Sequence, residues 1–268
     1  MASKKILYVC QEVAPYLAET LQATLSRSLL QAMQERGNEI RTFMPRYGVI
    51  NERRNQLHEV IRLSGMNLII DDNDHQLIIK VASIPAARVQ VYFIDNDDYF
   101  SRKAILHDEE GKEFEDNDER AIFFARGVLE TVKKLRWEPS IVHCHGWFSA
   151  LVSAYLRTTF ADDPIFKGVK IVASIGDEGF EQPLDSNFLS KIESEEIGGE
   201  NCAILENPTY ENYCRFVLDN IDGIALISDE VKPEIMELVR GCGKPVLEYQ
   251  SLEESDIYDN YNNFYDSL

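Results

Sequence analysis

The stretch PSIVHCHGWFSAL, residues 139–151, decides the fold. Residues 140–144 form a short apolar run behind a proline and include two β-branched residues, which is typical of a strand buried on both faces of a parallel sheet. A polar corner follows, and apolar periodicity then predicts a helix over residues 148–160. Because ligands bind outside the carboxyl ends of strands in open α/β sheets, we predict that His143 and His145 lie near the functional edge.

Both histidines have an alternative interpretation. A histidine inside a buried strand is often a core side chain whose hydrogen bonds are satisfied, rather than a ligand. This alternative applies most directly to His143, because His145 lies at the end of the strand. Side chains alternate along a strand, so Cys144 points to the opposite face, and residues 143–145 are not expected to form a zinc site.

The flanking sequence predicts a single doubly wound, mostly parallel α/β sheet with an appended antiparallel segment. The chain opens with a β-α-β unit, which has a right-handed crossover and parallel strands. Strands are predicted over residues 4–10, 39–45, 167–175, 223–228 and 245–249, with antiparallel ones over residues 67–70, 76–84 and 88–95. Helices are predicted over residues 17–36, 117–136, 210–220 and 229–240, the last with Ser228 as its N-cap. A long loop is expected over residues 97–118, and a mobile or irregular one over residues 182–208.

Charge and cysteine usage limit the classes of partner. The 268 residues include 27 Lys and Arg against 46 Asp and Glu, which gives a formal charge of −19. This balance argues against binding to nucleic acid or to an anionic membrane, because phosphate surfaces attract Lys and Arg. The five cysteines are scattered, without a CxxC pair or metal-ligand spacing, which favours reduced thiols in the cytoplasm. No metal or cofactor site is predicted.

The two ends of the chain have distinct patterns. The start, MASKKILYVCQEV, is interpreted as a first strand rather than a signal peptide, and no apolar run approaches the roughly 20 residues that span a bilayer. Residues 250–268 contain several acids and no Lys or Arg, and their aromatic residues recur at i, i+3/i+4 spacing. This amphipathic tail is expected to pack either on its own domain, residues 1–249, or on a partner chain.

Two acidic segments are candidates for chemistry. Asp177 and Glu178 follow the strand predicted over residues 167–175, so they form either an acid/base pair or a solvated turn. The acids between residues 108 and 113 do not have the spacing of an EF-hand loop, which favours a solvated loop over calcium binding. No glycine occurs before Gly37, so a glycine-rich phosphate cradle after the first strand is poorly supported.

Several sequence blocks, taken in order, resemble one family. They are EVAPY (residues 12–16), MPRYG (44–48), FIDNDDYF (93–100), DNDER (116–120), HCHGW (143–147), DDP with Phe166 (162–166) and GIALIS (223–228). Over about residues 5–240 the chain resembles the N-terminal domain of bacterial glycogen synthases and plant starch synthases. These are retaining glucosyltransferases of the two-Rossmann, or GT-B, type, which move glucose from ADP- or UDP-glucose to an α-1,4-glucan.

The resemblance implies a set of site residues. HCHGW is similar to the family's His-x-His-Asp-Trp signature, so His145 matches the sugar-contacting histidine and is the candidate catalytic residue. Trp147, His143 and Asp177 are the candidate sugar-binding residues. The resemblance also implies half of a GT-B enzyme, because the family continues into a second Rossmann domain that this chain is expected to lack.

The departures from the family fall on polar positions. The family's Lys-x-Gly-Gly-Leu-x-Asp motif has its lysine, glycines and aspartate aligned with Ala18, Thr20, Leu21 and Thr24. A backbone behind Thr and Leu side chains cannot approach a pyrophosphate as closely as one behind glycine, and Glu19 adds repulsion. The signature aspartate is Gly146, and Thr-x-His-Asn appears as residues 174–177, so another sugar-side histidine is lost.

Two hypotheses for function follow. Without the cations of a second domain, the leaving diphosphate would be less stabilised. The rate of transfer would then fall on the order of 10³-fold or more. The first hypothesis is a catalytically silent relative, a pseudoenzyme, that binds a glucan or a protein in the inherited cleft or through its tail. The alternative is the acceptor-side component of a glucosyltransferase, which would contact a nucleotide-sugar and an α-glucan.

Overall fold

The computed structural model describes residues 3–18, 20–193, 197–198 and 200–268, so Glu19 and part of the loop predicted over residues 182–208 lie outside it. The strands it describes are β1 Lys5–Cys10, β2 Glu39–Pro45, β3 His58–Glu59, β4 Met66–Ile70, β5 Asn73–Ile84, β6 Val89–Asp95, β7 Ile141–His145, β8 Lys170–Ile175, β9 Gly223–Leu226 and β10 Val246–Leu247. The helices are α1 Leu21–Glu35, α2 Asp97–Phe100, α3 Asn117–Leu135, α4 Trp147–Ala150, α5 Val152–Arg157, α6 Phe188–Glu193, α7 Tyr210–Asp219, α8 Pro233–Gly241 and α9 Ile257–Ser267.

The described strands form one mixed sheet. Its order is β10-β9-β8-β7-β1-β2-β6-β5-β3, and β4 pairs with β5. Every pairing from β10 to β6 is parallel, whereas β5 runs antiparallel to β6, β3 and β4. The predicted α/β fold with an appended antiparallel segment is therefore confirmed. The parallel strands bring the carboxyl ends of β1, β7 and β8 to one edge of the sheet, where the candidate site lies.

Two helices begin later than the sequence analysis predicts, and local capping explains both differences. The Oγ1 of Thr20 accepts a hydrogen bond from the backbone N–H of Ala23, which fixes the start of α1 at Leu21. Helix α8 begins at Pro233, whose fixed φ suits a first helical position. Ser228 is therefore not its N-cap, and its hydroxyl instead accepts from the N–H of Glu230 in the preceding turn.

The two segments predicted as loops contain more regular structure than expected. Helix α2 forms because the Asn96 side chain accepts from the N–H groups of the two residues that follow Asp97. The described part of residues 182–208 contains α6 and a 3-10 turn at Glu200–Glu206, so that prediction of an irregular loop is partly wrong. The amine of Lys191 on α6 is buried and lies 2.8 Å from a carboxylate oxygen of Asp118 on α3, which anchors the segment.

The tail forms α9, which packs on the chain's own sheet beside α1. Its inward side chains are buried and are Ile257, Tyr261, Phe264 and Tyr265. Ion pairs tie it to the start of the chain, from Lys4 to Asp266 at 2.8 Å, and to the end of α1, from Arg36 to Asp259 at 2.6 Å. Docking on its own domain is confirmed, and the aromatic face is consequently not free to bind a partner chain. The boundary at residue 249 stays a prediction.

The model also bears on membrane insertion. None of the helices in the described ranges combines the length and the apolar character needed to cross a membrane.

Candidate functional site

Strands β1 and β7 hold the two candidate histidines side by side. In their parallel register, Tyr8 pairs with His143 and Cys10 pairs with His145. The two imidazole rings share one face of the sheet, and their centroids are 4.1 Å apart. Both histidines are fully buried, with 0% of their surface exposed. The structure thus brings them together at the carboxyl edge, as predicted, but beneath the surface.

The hydrogen bonds of His143 are satisfied by its neighbours. The Tyr265 hydroxyl on α9 lies 2.6 Å from Nδ1, and the Ser174 hydroxyl on β8 lies 2.9 Å from Nε2. Burial, with a smaller contribution from the adjacent His145, lowers the pKa of His143, so the ring is neutral at pH 7. A neutral imidazole needs one donor and one acceptor, and two hydroxyls supply them. His143 is therefore a buried core histidine whose two ring nitrogens both have hydrogen-bond partners.

His145 differs because it lacks such partners. Neither ring nitrogen has a hydrogen-bond partner among the described residues. Burial lowers the pKa of His145 to about 3, so the side chain is neutral and cannot provide positive charge near pH 7. A sugar hydroxyl could satisfy a ring nitrogen, but it would have to reach a side chain that is closed off from solvent.

The space next to Gly146, the residue that follows His145, is filled by two glutamines. Gly146 has φ +84°, and a Cβ there would collide with Nε2 of Gln22 and lie 2.8 Å from Oε1 of Gln11. The Gln11 amide oxygen also accepts a hydrogen bond of 3.2 Å from the N–H of Phe148 at the start of the following helix. We call this arrangement of Gln11, Gln22, His145 and Gly146 the filled corner. Only glycine fits its backbone conformation and its space.

Trp147 packs inside the fold and leaves little surface for a sugar. It is 6% exposed, and its ring meets the Phe180 ring edge-on with a centroid distance of 4.9 Å. Its backbone carbonyl accepts a hydrogen bond of 2.9 Å from the hydroxyl of Tyr213 on α7. The cavity beside it measures about 20 Å³, which is of the order of a single water molecule. Its predicted role in sugar binding remains a prediction.

Carboxylates collect at the carboxyl edge. Glu12 follows β1 and accepts a hydrogen bond of 2.7 Å from the hydroxyl of Thr20, the N-cap of α1. Asp177 is exposed and Glu178 is partly buried beyond the end of β8. Burial, with smaller contributions from Glu12 and Asp177, raises the pKa of Glu178 to about 8. The carboxyl group of Glu178 is therefore largely protonated at neutral pH.

An open groove runs beside this edge. Two cavities of about 570 and 420 Å³ share Pro15, Tyr16 and Arg54 in their linings. The first also contains Val49 and His107, and the second contains polar side chains from residues 55–58. We call this feature the EVAPY groove, after the segment that forms its shared wall. Its mixture of apolar walls and polar side chains can contact both the C–H faces and the hydroxyl groups of a ligand.

Sequence reasoning missed three residues that shape the site. Tyr265 belongs to the aromatic stripe of the tail, so its burial could be predicted, although its partner His143 could not. Gln11 and Gln22 carry no local signal, because their importance comes from the space that Gly146 leaves in three dimensions. Asp177, one of the residues named from sequence, is not brought into contact with the buried histidines.

The fold and site define the class of protein. A mostly parallel sheet with a strand-corner-helix unit at its carboxyl edge is the α/β architecture of a GT-B glycosyltransferase domain. The family model described as the starch synthase catalytic domain matches residues 5–246. The chain therefore belongs to the starch synthase catalytic domain family.

Individual relatives support this assignment and show its extent. The glycogen synthase of Chlorobium luteolum is 35% identical over 241 residues, covering 89% of this chain and 49% of the relative. The glycogen synthase of Chlorobaculum tepidum is 36% identical over 234 residues, covering 81% and 48%. The chain thus spans about half the length of these curated relatives.

A solved structure shows the same fold. It is the catalytic domain of starch synthase IV from Arabidopsis thaliana bound to ADP and acarbose. The TM-score is 0.75 at 15% identity, over 93% of this chain and 52% of that one. At this identity the likeness concerns the fold alone.

Proposed function

We propose that this starch-synthase-type domain does not transfer glucose by itself and instead binds an α-glucan in the EVAPY groove. The observation that carries the proposal is the filled corner: the histidine that matches the family's sugar-contacting residue has no exposed surface, while an open groove lies along a neighbouring segment. The role is that of a carbohydrate-binding pseudoenzyme, and its location in the cytoplasm remains a prediction from cysteine usage.

Charge at the carboxyl edge supports the absence of transfer. Transfer from a nucleotide-sugar leaves a diphosphate, and enzymes stabilise such leaving groups mainly through positive charge. Here the N-terminus of α1, a natural anion site, has the Glu12 carboxylate bonded to its N-cap residue Thr20. Ala18 occupies the position that the family resemblance assigns to a lysine. A donor diphosphate would therefore meet like charge within this domain.

The chemistry of the EVAPY groove supports a glucan as the ligand. An α-glucan is uncharged, so the chain's charge of −19 does not repel it. Arg54 and residues 55–58 offer hydrogen-bond donors and acceptors, and Val49, which is 44% exposed, offers an apolar surface. Pockets that hold a drug-sized ligand measure roughly 300–1,000 Å³. The two adjoining cavities lie in this range, so they have room for several sugar units rather than one.

Binding to a linear α-1,4-glucan, measured by affinity electrophoresis and calorimetry, tests the proposal. The chain is expected to bind, and the variant Arg54→Ala/His107→Ala is expected to bind about tenfold more weakly, because it loses two hydrogen-bonding side chains. Arg240→Ala, which removes an exposed arginine on α8, is the matched control and should bind like the parent chain. Equal affinity of all three proteins, or no binding by the parent, would contradict a glucan role for this groove.

The alternative is an acceptor-side component of a glucosyltransferase, favoured by the retained histidine at residue 145 whose ring nitrogens lack partners. It is tested by glucose incorporation from ADP- or UDP-glucose into α-1,4-glucan, with the purified chain alone and with cell lysate. The pseudoenzyme proposal expects no incorporation that depends on this chain. Incorporation that disappears in His145→Ala and persists in Arg240→Ala would replace it with the alternative.

A further inference from the structure

A second open cavity lies at the opposite edge of the sheet, by the amino ends of the parallel strands. Its volume is about 560 Å³, and its lining comes from the start of β2, the start of β6 and the end of α3. Arg41, Arg62 and Lys134 line it together with apolar side chains. We call it the amino-edge cavity. It is separate from the EVAPY groove, with which it shares no lining residue.

The grouping of three cations is unusual for this chain. Only 27 of its residues are Lys or Arg against 46 Asp and Glu, yet three cations and a single carboxylate line this cavity. Within the described residues, no carboxylate forms an ion pair with Arg41, Arg62 or Lys134. The carboxylate of Glu39, the acid that lines the cavity, accepts a hydrogen bond from the indole N–H of Trp137. The cavity is thus a local region of positive potential on an acidic molecule.

Arg41 is held in place but is not fully hydrogen-bonded. Its guanidinium lies over the Trp137 ring at 5.3 Å and the Tyr92 ring at 5.9 Å, and Nη1 donates to the Tyr92 hydroxyl at 2.9 Å. Its Nε–H is buried and finds no acceptor among the described residues. A buried donor without an acceptor is costly, and a charged donor more so, so the neighbours of Arg41 leave part of its hydrogen-bonding capacity unused. Packing against two aromatic rings also fixes the orientation of the planar guanidinium, whose N–H donors can bind two oxygens of one anion.

The rest of the lining indicates the size and kind of ligand. Arg62 and Lys134 are exposed at the rim, where long cationic side chains can close on an anion. Lys134 donates one hydrogen bond of 3.1 Å to the Leu63 carbonyl, which leaves further N–H donors on the amine. Ile40, Leu63 and Leu135 form a small apolar wall within a mostly polar lining. The cavity is larger than an inorganic ion requires, so it has room for an organic group against that wall.

We propose that the amino-edge cavity binds a small organic phosphate, with Arg41, Arg62 and Lys134 holding the phosphate and the apolar wall holding the organic group. A polyanion such as nucleic acid is disfavoured, because the positive region is confined to one cavity while the whole chain carries −19. The site does not depend on the proposed glucan function, since the two use different edges of the sheet.

Calorimetry and NMR titration of the whole chain with phenyl phosphate and with inorganic phosphate test this inference. Phenyl phosphate is expected to bind at submillimolar concentration and more tightly than inorganic phosphate, with affinity falling as salt rises. Arg62→Gln/Lys134→Gln is expected to weaken binding at least tenfold, because it removes two charge-assisted hydrogen bonds. Both side chains are exposed, so the variant should keep the parent's thermal unfolding temperature.

The matched control is Arg240→Gln/Arg215→Gln, which removes the same charge from exposed side chains on α8 and α7. It should bind phenyl phosphate as the parent does. Absence of binding by the parent at millimolar concentration would overturn the inference. Equal weakening in the two double variants would also overturn it, because that result would mean that only overall charge attracts the anion.

Discussion

The carboxyl and amino edges of the sheet differ in charge and in free space. At the carboxyl edge, Gln22 fills the space beside Gly146, His145 is buried, and Glu12 places negative charge at the start of α1. At the amino edge, three cations that form no ion pair with a carboxylate of the described residues line a cavity of about 560 Å³. In open α/β folds the carboxyl edge is the usual ligand site. The comparison teaches that the fold determines where the two edges of the sheet lie, whereas individual side chains determine whether an edge has the space and the charge to bind a ligand.

The largest expected effect concerns α9, the helix that packs against His143 and Tyr8. Removing residues 250–268 deletes four buried side chains, each contributing about 1.5–3 kcal/mol, or roughly 6–12 kcal/mol in total. This is similar to the whole stability of a typical domain, about 5–15 kcal/mol. The truncated chain is therefore expected to be largely unfolded or insoluble, as measured by circular dichroism and size-exclusion chromatography.

Two single variants sharpen that result. Tyr265→Ala removes the partner of His143, whereas Tyr258→Ala changes a less buried residue on the same helix. Tyr265→Ala should lower the unfolding temperature much more than Tyr258→Ala does. A truncated chain that keeps the parent's stability would contradict the prediction that α9 stabilises the fold.

The next effect tests whether the corner is filled. Gly146→Ala combines a backbone conformation that side chains rarely adopt with a collision against Gln22, and is expected to cost about 3–5 kcal/mol. Gly37→Ala is the matched control, because Gly37 also has positive φ, +82°, but nothing lies within 4 Å of its added Cβ. It should cost only about 1–2 kcal/mol. Both values come from chemical denaturation.

A double variant separates collision from backbone strain. In Gly146→Ala/Gln22→Ala the shorter side chain at residue 22 makes room, so part of the stability lost by Gly146→Ala should return. The filled corner would be contradicted if Gly146→Ala and Gly37→Ala lowered the free energy of unfolding equally. It would also be contradicted if adding Gln22→Ala to Gly146→Ala restored no stability. In either case the two edges would not differ in free space as described.

The smallest effect concerns Glu178 and depends on pH. Its pKa is raised from an ordinary 4.5 to about 8, so between these values the folded chain binds a proton that the unfolded chain releases. Stability therefore falls as pH rises through this window. Glu178→Gln removes the titration, so its unfolding temperature should exceed that of the parent by a few degrees above pH 8 and differ less near pH 5.

The control for this prediction is Glu237→Gln, an exposed carboxylate on α8 that should not change the pH profile relative to the parent. A Glu178→Gln profile parallel to that of the parent would show that Glu178 ionises normally. The carboxyl edge would then carry one more negative charge at neutral pH, because Glu178 would be ionised.

The sequence predicted most of the fold because the strands are buried on both faces. Such strands appear as continuous apolar runs, as in residues 140–144, and β2 was predicted with the same bounds that the structure gives. Helix starts were less accurate, because a cap such as Thr20 competes with apolar periodicity that continues before it.

The site was harder to predict than the fold. The sequence placed His143 and His145 at the correct edge and offered the core alternative for His143, but it did not reveal that His145, at the end of the strand, is also closed off from solvent. Gln22 fills the space beside Gly146, and Tyr265 completes the hydrogen bonds of His143. These two residues are far apart along the chain and reach β7 only in the folded state. The amino-edge cavity left no motif either, since Arg41, Arg62 and Lys134 come from three separate elements.

The position of α9 has a consequence for biosynthesis. Tyr265 completes the hydrogen bonds of His143 and contacts the hydroxyl of Tyr8 at 3.0 Å, so residues made later cover strands made early. During translation, the part of β1 and β7 that α9 covers stays exposed until residues 257–267 have left the ribosome. More than a hundred residues separate β7 from α9 along the chain, so chaperones that recognise incompletely packed surfaces have time in which to bind the nascent chain.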